Sequence, residues 1–112
     1  MKTRNFLLAL GVFFVSLALP AETWTNVALV DARCVDKVKA NPDKHIAKCA
    51  LAWEDGGYGI LIADGTFLKF DAAGNAKAVA ALQATRKTDH LRATVEGTRA
   101  GEEIQVGSVK LD

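Results

Sequence analysis

YGILIADGTFLKF, residues 58–70, is the stretch that decides the fold. Two short apolar runs flank Asp64-Gly65, a pair that tolerates the positive φ a tight hairpin turn demands. The first run, 58–63, carries no polar alternation, as a buried strand does. The second, 66–70, is short and rich in aromatics. The stretch therefore predicts two antiparallel strands joined at residues 64–65.

Downstream, residues 71–75 predict a turn containing Gly74. Residues 76–85 are alanine-rich, with Val79 and Leu82 three apart, and predict a short helix. Arg86 and Lys87 lie at its negative end, where cations are favoured. Residues 91–97 alternate, with Leu91, Ala93 and Val95 inward and Arg92, Thr94 and Glu96 outward. A turn over 98–102 with Gly101 leads into 103–111, where the alternation slips at Gly107-Ser108. A glycine at a slip of phase predicts a β-bulge.

Upstream, Asn41-Pro42-Asp43 predicts a helix start: a capping residue, a proline suited to the first turn and an acid at the positive end of the dipole. Ile46, Cys49, Ala50 and Trp53 follow at helical spacing as one apolar stripe, and Gly56-Gly57 ends the helix. Residues 32–40 carry no clear pattern. Residues 23–31, TWTNVALVD, predict a strand whose second half is buried on both sides. Trp24, Asn26, Ala28 and Val30 share one face; Thr25, Val27 and Leu29 share the other.

The order is then β-α-β-β-α-β-β. A mainly β chain with two short helices, five strands and a helix between the third and fourth strands has the order of a small OB-like barrel.

Residues 1–21 read as a secretory signal peptide. Lys2 and Arg4 form a positive start, residues 6–19 an apolar run, and Ala21 a small residue before the cut. Fourteen residues span roughly 21 Å as a helix, short of the ~30 Å hydrocarbon core, so cleavage is expected rather than a lasting anchor. The expected location is periplasmic or secreted, an oxidising compartment. Residues 22–112 are then a single domain. Removing Lys2 and Arg4 from the fourteen basic residues leaves twelve against thirteen acidic ones, a net charge of −1. That balance argues against general nucleic-acid binding, which needs a basic surplus. The expected partner is an envelope protein or a small ligand.

Catalytic machinery is not legible. Ser108 is the single serine beyond residue 21 and lies within a strand, without the flanks of a nucleophile elbow. The glycines at 56, 57 and 59 precede a strand and lack the lysine of a phosphate loop. No cofactor motif occurs. His90 reads as a surface histidine. Trp24, Trp53, Tyr58, Phe67 and Phe70 read as core, although exposed Trp24, Tyr58 and Phe67 around one groove would suit an oligonucleotide- or oligosaccharide-binding face.

Cys34 and Cys49 carry the sharpest alternative. In an oxidising compartment they are expected to form a disulfide, whose loop of about fifteen residues would contribute roughly 3 kcal/mol. The rival reading is metal or redox handling by Cys34, His45 and Cys49. His45 and Cys49 are one helical turn apart, and thiolate with imidazole suits zinc or copper.

Residues 23–111 resemble a group of small secreted bacterial proteins of unknown function. The resemblance rests on Asp31-Ala-Arg-Cys34 at a strand end, the cysteine-containing helix, Asp64-Gly65, and Val95-Glu-Gly-Thr98 leading to Val106. It implies an OB-like barrel and no particular activity. In that group a further cysteine is expected four residues past the helix cysteine. Trp53 stands there in this chain, which weakens shared metal or thiol chemistry and leaves a two-cysteine pairing. The expectation is thus an exported, non-enzymatic binding or interaction domain.

Overall fold

The structure is a computed structural model that describes residues 20–112. The segment read as a signal peptide lies outside the described residues except for Pro20 and Ala21. Five strands, β1 (Ala21–Asp31), β2 (Tyr58–Leu61), β3 (Phe67–Phe70), β4 (Arg92–Ala100) and β5 (Glu103–Leu111), close a barrel in the order β1-β2-β3-β5-β4. Every neighbouring pair is antiparallel except β3 with β5, which is parallel. The helices are α1 (Val35–Val38), α2 (Ala47–Ala52) and α3 (Ala72–Ala84). With α3 between β3 and β4, the barrel is OB-like, as the order of elements implied.

The interior is filled by Leu29, Ile60, Leu68, Phe70, Leu91, Val95 and Ile104, against which α3 sets Ala78 and Leu82. Each large side chain buried there contributes about 1.5–3 kcal/mol. A smaller cluster lies on the outer face of β1 and β2. Ala28, Val30 and Leu61 pack there with Val35 and Val38 of α1 and with Phe67. The second half of β1 is therefore covered on both sides, as its sequence suggested.

Local chemistry sets the details. The β2–β3 connection places Ala63-Asp64 at the tip, with Gly65 N–H donating to Ile62 C=O and Ile62 N–H to Thr66 C=O. Gly65 follows the tip at φ +88. The turn sits where expected, but the loop spans residues 63–65 instead of 64–65 alone, the arrangement of a turn followed by a left-handed residue. The β5 bulge is at Gly107: Glu96 pairs with Ser108 and Gly97 with Val106. A second bulge, in β1 between Trp24 and Val27, changes the phase of that strand. It brings Trp24 onto the same inner cluster as Val27 and Leu29.

α3 begins at Ala72, within the segment expected to be a turn. Asp71 caps it, its Oδ1 accepting from Gly74 N–H at 2.9 Å and from Val106 N–H at 3.2 Å. Gly74 belongs to a close approach: a Cβ there would lie 2.5 Å from Val106 Cγ2.

The β1–β2 connection departs furthest from expectation. The helix predicted from Asn41 is divided. Pro42–Lys44 forms one 3-10 turn, His45 and Ile46 are extended, and α2 then runs over six residues. Asn41 makes no side-chain cap bond. The expected stripe does not pack on the sheet: Ala50 is buried, but Ile46 and Trp53 are 39% and 44% exposed and Cys49 is exposed. α2 begins only at Ala47, and it turns Ala50, with half-buried Ala47 and Leu51, toward the core instead. Among the described residues no helix is long and apolar enough to cross a membrane.

Candidate metal centre

Asp31 closes β1 on the same face as Leu29, because side chains two apart in a strand point alike. It is fully buried, and its backbone pairs with Tyr58 of β2. Cys34 follows at the end of the 3-10 turn Ala32–Cys34 and is half-buried. His45 comes from the far side of the connection, in the extended link that divides the predicted helix. That link is anchored from both sides. His45 N–H donates to Pro42 C=O, Ala47 N–H to Thr88 C=O, and His90 N–H to Asp43 C=O. The divided helix thus has a local consequence: it turns the His45 ring inward over the end of β1.

His45 Nε2 and Asp31 Oδ1 stand 2.6 Å apart, a buried hydrogen bond. The second oxygen, Asp31 Oδ2, is buried with no hydrogen-bond partner. Lone carboxylate oxygens are costly away from water, and buried ones are nearly always satisfied. The Cys34 Sγ completes the group: one donor atom from each of Asp31, Cys34 and His45 lies within 4.8 Å of the others. Burial pushes the Cys34 thiol up, the neighbouring Asp31 carboxylate adds to the rise, and Lys37 opposes it. A thiol shifted this way is a poor nucleophile. The same carboxylate that keeps it protonated would sit beside it as a ligand once a cation replaced the proton.

The surroundings are firm. Tyr58 is fully buried, and its hydroxyl donates to Ala50 C=O at 2.8 Å, tying α2 to β2. Burial, with smaller contributions from Glu54 and Asp31, pushes the Tyr58 hydroxyl up to about 12.

Of the residues singled out from sequence, Cys34 and His45 come together. Cys49 does not join them: it lies on the exposed side of α2. Cys34 and Cys49 are both free thiols, so the expected disulfide is not formed. The physical reason is that α2 seats Ala47, Ala50 and Leu51 on the core, which turns Cys49 outward, while Cys34 lies beside Asp31. Asp31 is the member of the cluster that the sequence reading did not single out as a donor. Its signal was an acid ending the apolar run of β1, three residues before a cysteine. Trp53, in the position of the further cysteine, lies under the Arg33 guanidinium at 5.5 Å on the surface.

The other candidates are accounted for without a site. Ser108 Oγ donates to Glu96 Oε1 at 3.3 Å on the exposed face. His90 is exposed and bonded to Asp89, whose carboxylate raises its pKa. Tyr58 has no face free for stacking, while Trp24 and Phe67 belong to different clusters. Those three aromatics do not form one groove. Comparison of the chain with protein-family models, with curated proteins and with solved structures finds no match.

Proposed function

We propose that this chain is an exported, non-enzymatic domain that binds a transition-metal ion through Asp31, Cys34 and His45. The observation that carries the reading is the orphaned, buried Asp31 Oδ2 within a cluster of three donors no more than 4.8 Å apart. Two donors held by one zinc ion at about 2.0–2.3 Å are separated by at most about 4.6 Å. The cluster needs only small movements: the Asp31–His45 hydrogen bond opens and the thiol moves in. One carboxylate, one thiolate and one imidazole suit zinc, with copper(I) favoured by the thiolate and imidazole alone. Binding would give Oδ2 the partner it lacks and replace the thiol proton.

Export is part of the same reading, supported by the order of charged, apolar and small residues over 1–21. Intact mass of the protein recovered from the periplasm is expected to begin at Glu22. Recovery of the full 12.0 kDa chain in the membrane fraction would overturn it.

Cobalt(II) titration of the periplasmic protein tests the metal. The expected result is one ion per chain, with a thiolate-to-cobalt absorption band that zinc displaces. Cys34→Ser is expected to remove the band and His45→Ala to weaken binding, while Cys49→Ser retains the band. A wild-type protein that takes up neither ion, or a band that survives Cys34→Ser, rules the reading out.

A further inference from the structure

We propose that a second site, a half-open cleft between the β1 bulge and the β2–β3 turn, binds a short-chain carboxylate. The cleft has a volume of about 360 Å³, at the small end for ligand pockets. It exists because β1 outruns its partner. β1 begins at Ala21, but it pairs with β2 only from Ala28 to Asp31. Before Ala28 it has β4 on one side and no strand on the other.

The backbone at this opening is held in an uncommon shape. Asn26, inside the bulge, has φ +54, a left-handed conformation that asparagine adopts more readily than most residues but still rarely. Its carbonyl accepts from Arg92 Nη1 at 3.2 Å. Arg92 is in turn fixed by Asp43, with Nε at 2.8 Å from Oδ1 and Nη2 at 3.1 Å from Oδ2. Three of the five guanidinium N–H groups are used in this way, leaving two. Bulges and backbone departures of this kind cluster at binding sites.

The charge and polarity of the lining select the ligand. Asp43 neutralises Arg92. Lys39, which also lines the cleft, is exposed and makes no ion pair among the described residues. One uncompensated positive charge suits one negative charge. Val27, Leu61 and Ile62 are among the other residues that line it, which suits an apolar stem of a few carbons. A carboxylate between Lys39 and the remaining Arg92 N–H groups, with its stem on Ile62 and Leu61, satisfies both parts of the cleft.

Hexanoate is the probe, with hexanol as the uncharged match, added to 15N-labelled protein in the presence of a metal chelator. Chelation separates the outcome from that of the metal site. The expected result is saturable amide shifts at Asn26, Lys39, Ile62 and Arg92 with hexanoate. Hexanol should bind roughly threefold or more weakly, the factor a partly exposed ion pair contributes. Lys39→Glu is expected to abolish the hexanoate shifts and Lys39→Arg to restore them, both with an unchanged melting temperature. Equal binding of hexanol, shifts that scatter over the surface, or none at all would overturn the proposal.

Discussion

Of the three helices on the barrel, α3 and α2 cover seats that differ in kind. α3 packs on β5, β2 and β3 over an apolar seat, where Ala78 and Leu82 meet Phe70, Ile104 and Val106. α2 packs on α3 and β1 beside a buried carboxylate, a buried imidazole and a thiol. The α3 seat is what close packing of apolar side chains yields when stability alone is at stake. The α2 seat keeps two ionisable groups out of water and leaves one oxygen without a partner. Replacing a buried ion pair by apolar side chains of similar size is often neutral or stabilising. Stability alone therefore does not call for the polar seat, and the proposed metal would give it a use.

That contrast can be broken by mutation. Phe70→Ala, in the apolar seat, is expected to cost about 3–5 kcal/mol, read as a lower urea midpoint. It should leave any cobalt band intact at temperatures where the protein is folded. On the polar side, His45→Leu is expected to cost about as much, roughly 3–5 kcal/mol, by leaving Asp31 buried and alone. The informative variant is the double one. Asp31→Leu with His45→Leu is expected to recover most of that loss while abolishing metal uptake. If the double variant is as unstable as His45→Leu, the pair is a structural clasp and the contrast fails.

A third substitution sharpens the apolar side. Gly74→Val forces a Cβ to within 2.5 Å of Val106 Cγ2, between α3 and β5. Overpacking of this kind costs about 1–3 kcal/mol. A melting temperature equal to wild type would mean that α3 is free to shift and its seat is looser than described.

The smallest effect concerns the half-buried pair of Asp43 and Arg92. The hydrogen bond from Arg92 holds the Asp43 carboxyl below its ordinary range. The depressed pKa means that the ionised form is favoured by folding. Its contribution is present above the unfolded value near ~3.9 and is lost as pH falls through the lower folded value. Asp43→Asn is therefore expected to be slightly less stable than wild type at neutral pH, with the difference vanishing in acid. A constant difference across the acid range would show that Arg92 is held by other means.

The sequence carried most of the fold and little of the centre. Alternation placed Leu91, Ala93 and Val95 inward, and Gly107 marked its bulge, because both are local consequences of side-chain period and backbone freedom. The start of α3 was hidden because Asp71 and Gly74, typical turn residues, serve as a cap and a close contact that depend on β5. Cys34 and His45 could be named as candidates but not joined, and Asp31 was passed over as the end of a strand.

By itself, the sequence determined five strands, their hairpins and the OB-like order, since these follow from patterns within about ten residues. Only the tertiary structure decided that the helix after Asn41 would divide at His45. The division depends on bonds to Thr88 and His90, in a segment distant in the chain. That break turned His45 onto Asp31, while the seating of Ala47, Ala50 and Leu51 on the core left Cys49 at the surface, so a cluster of three donors stands where the disulfide was expected. A periodicity fixes which residues share a helix face only while the helix is unbroken. Where it breaks is set by partners that the local sequence does not contain.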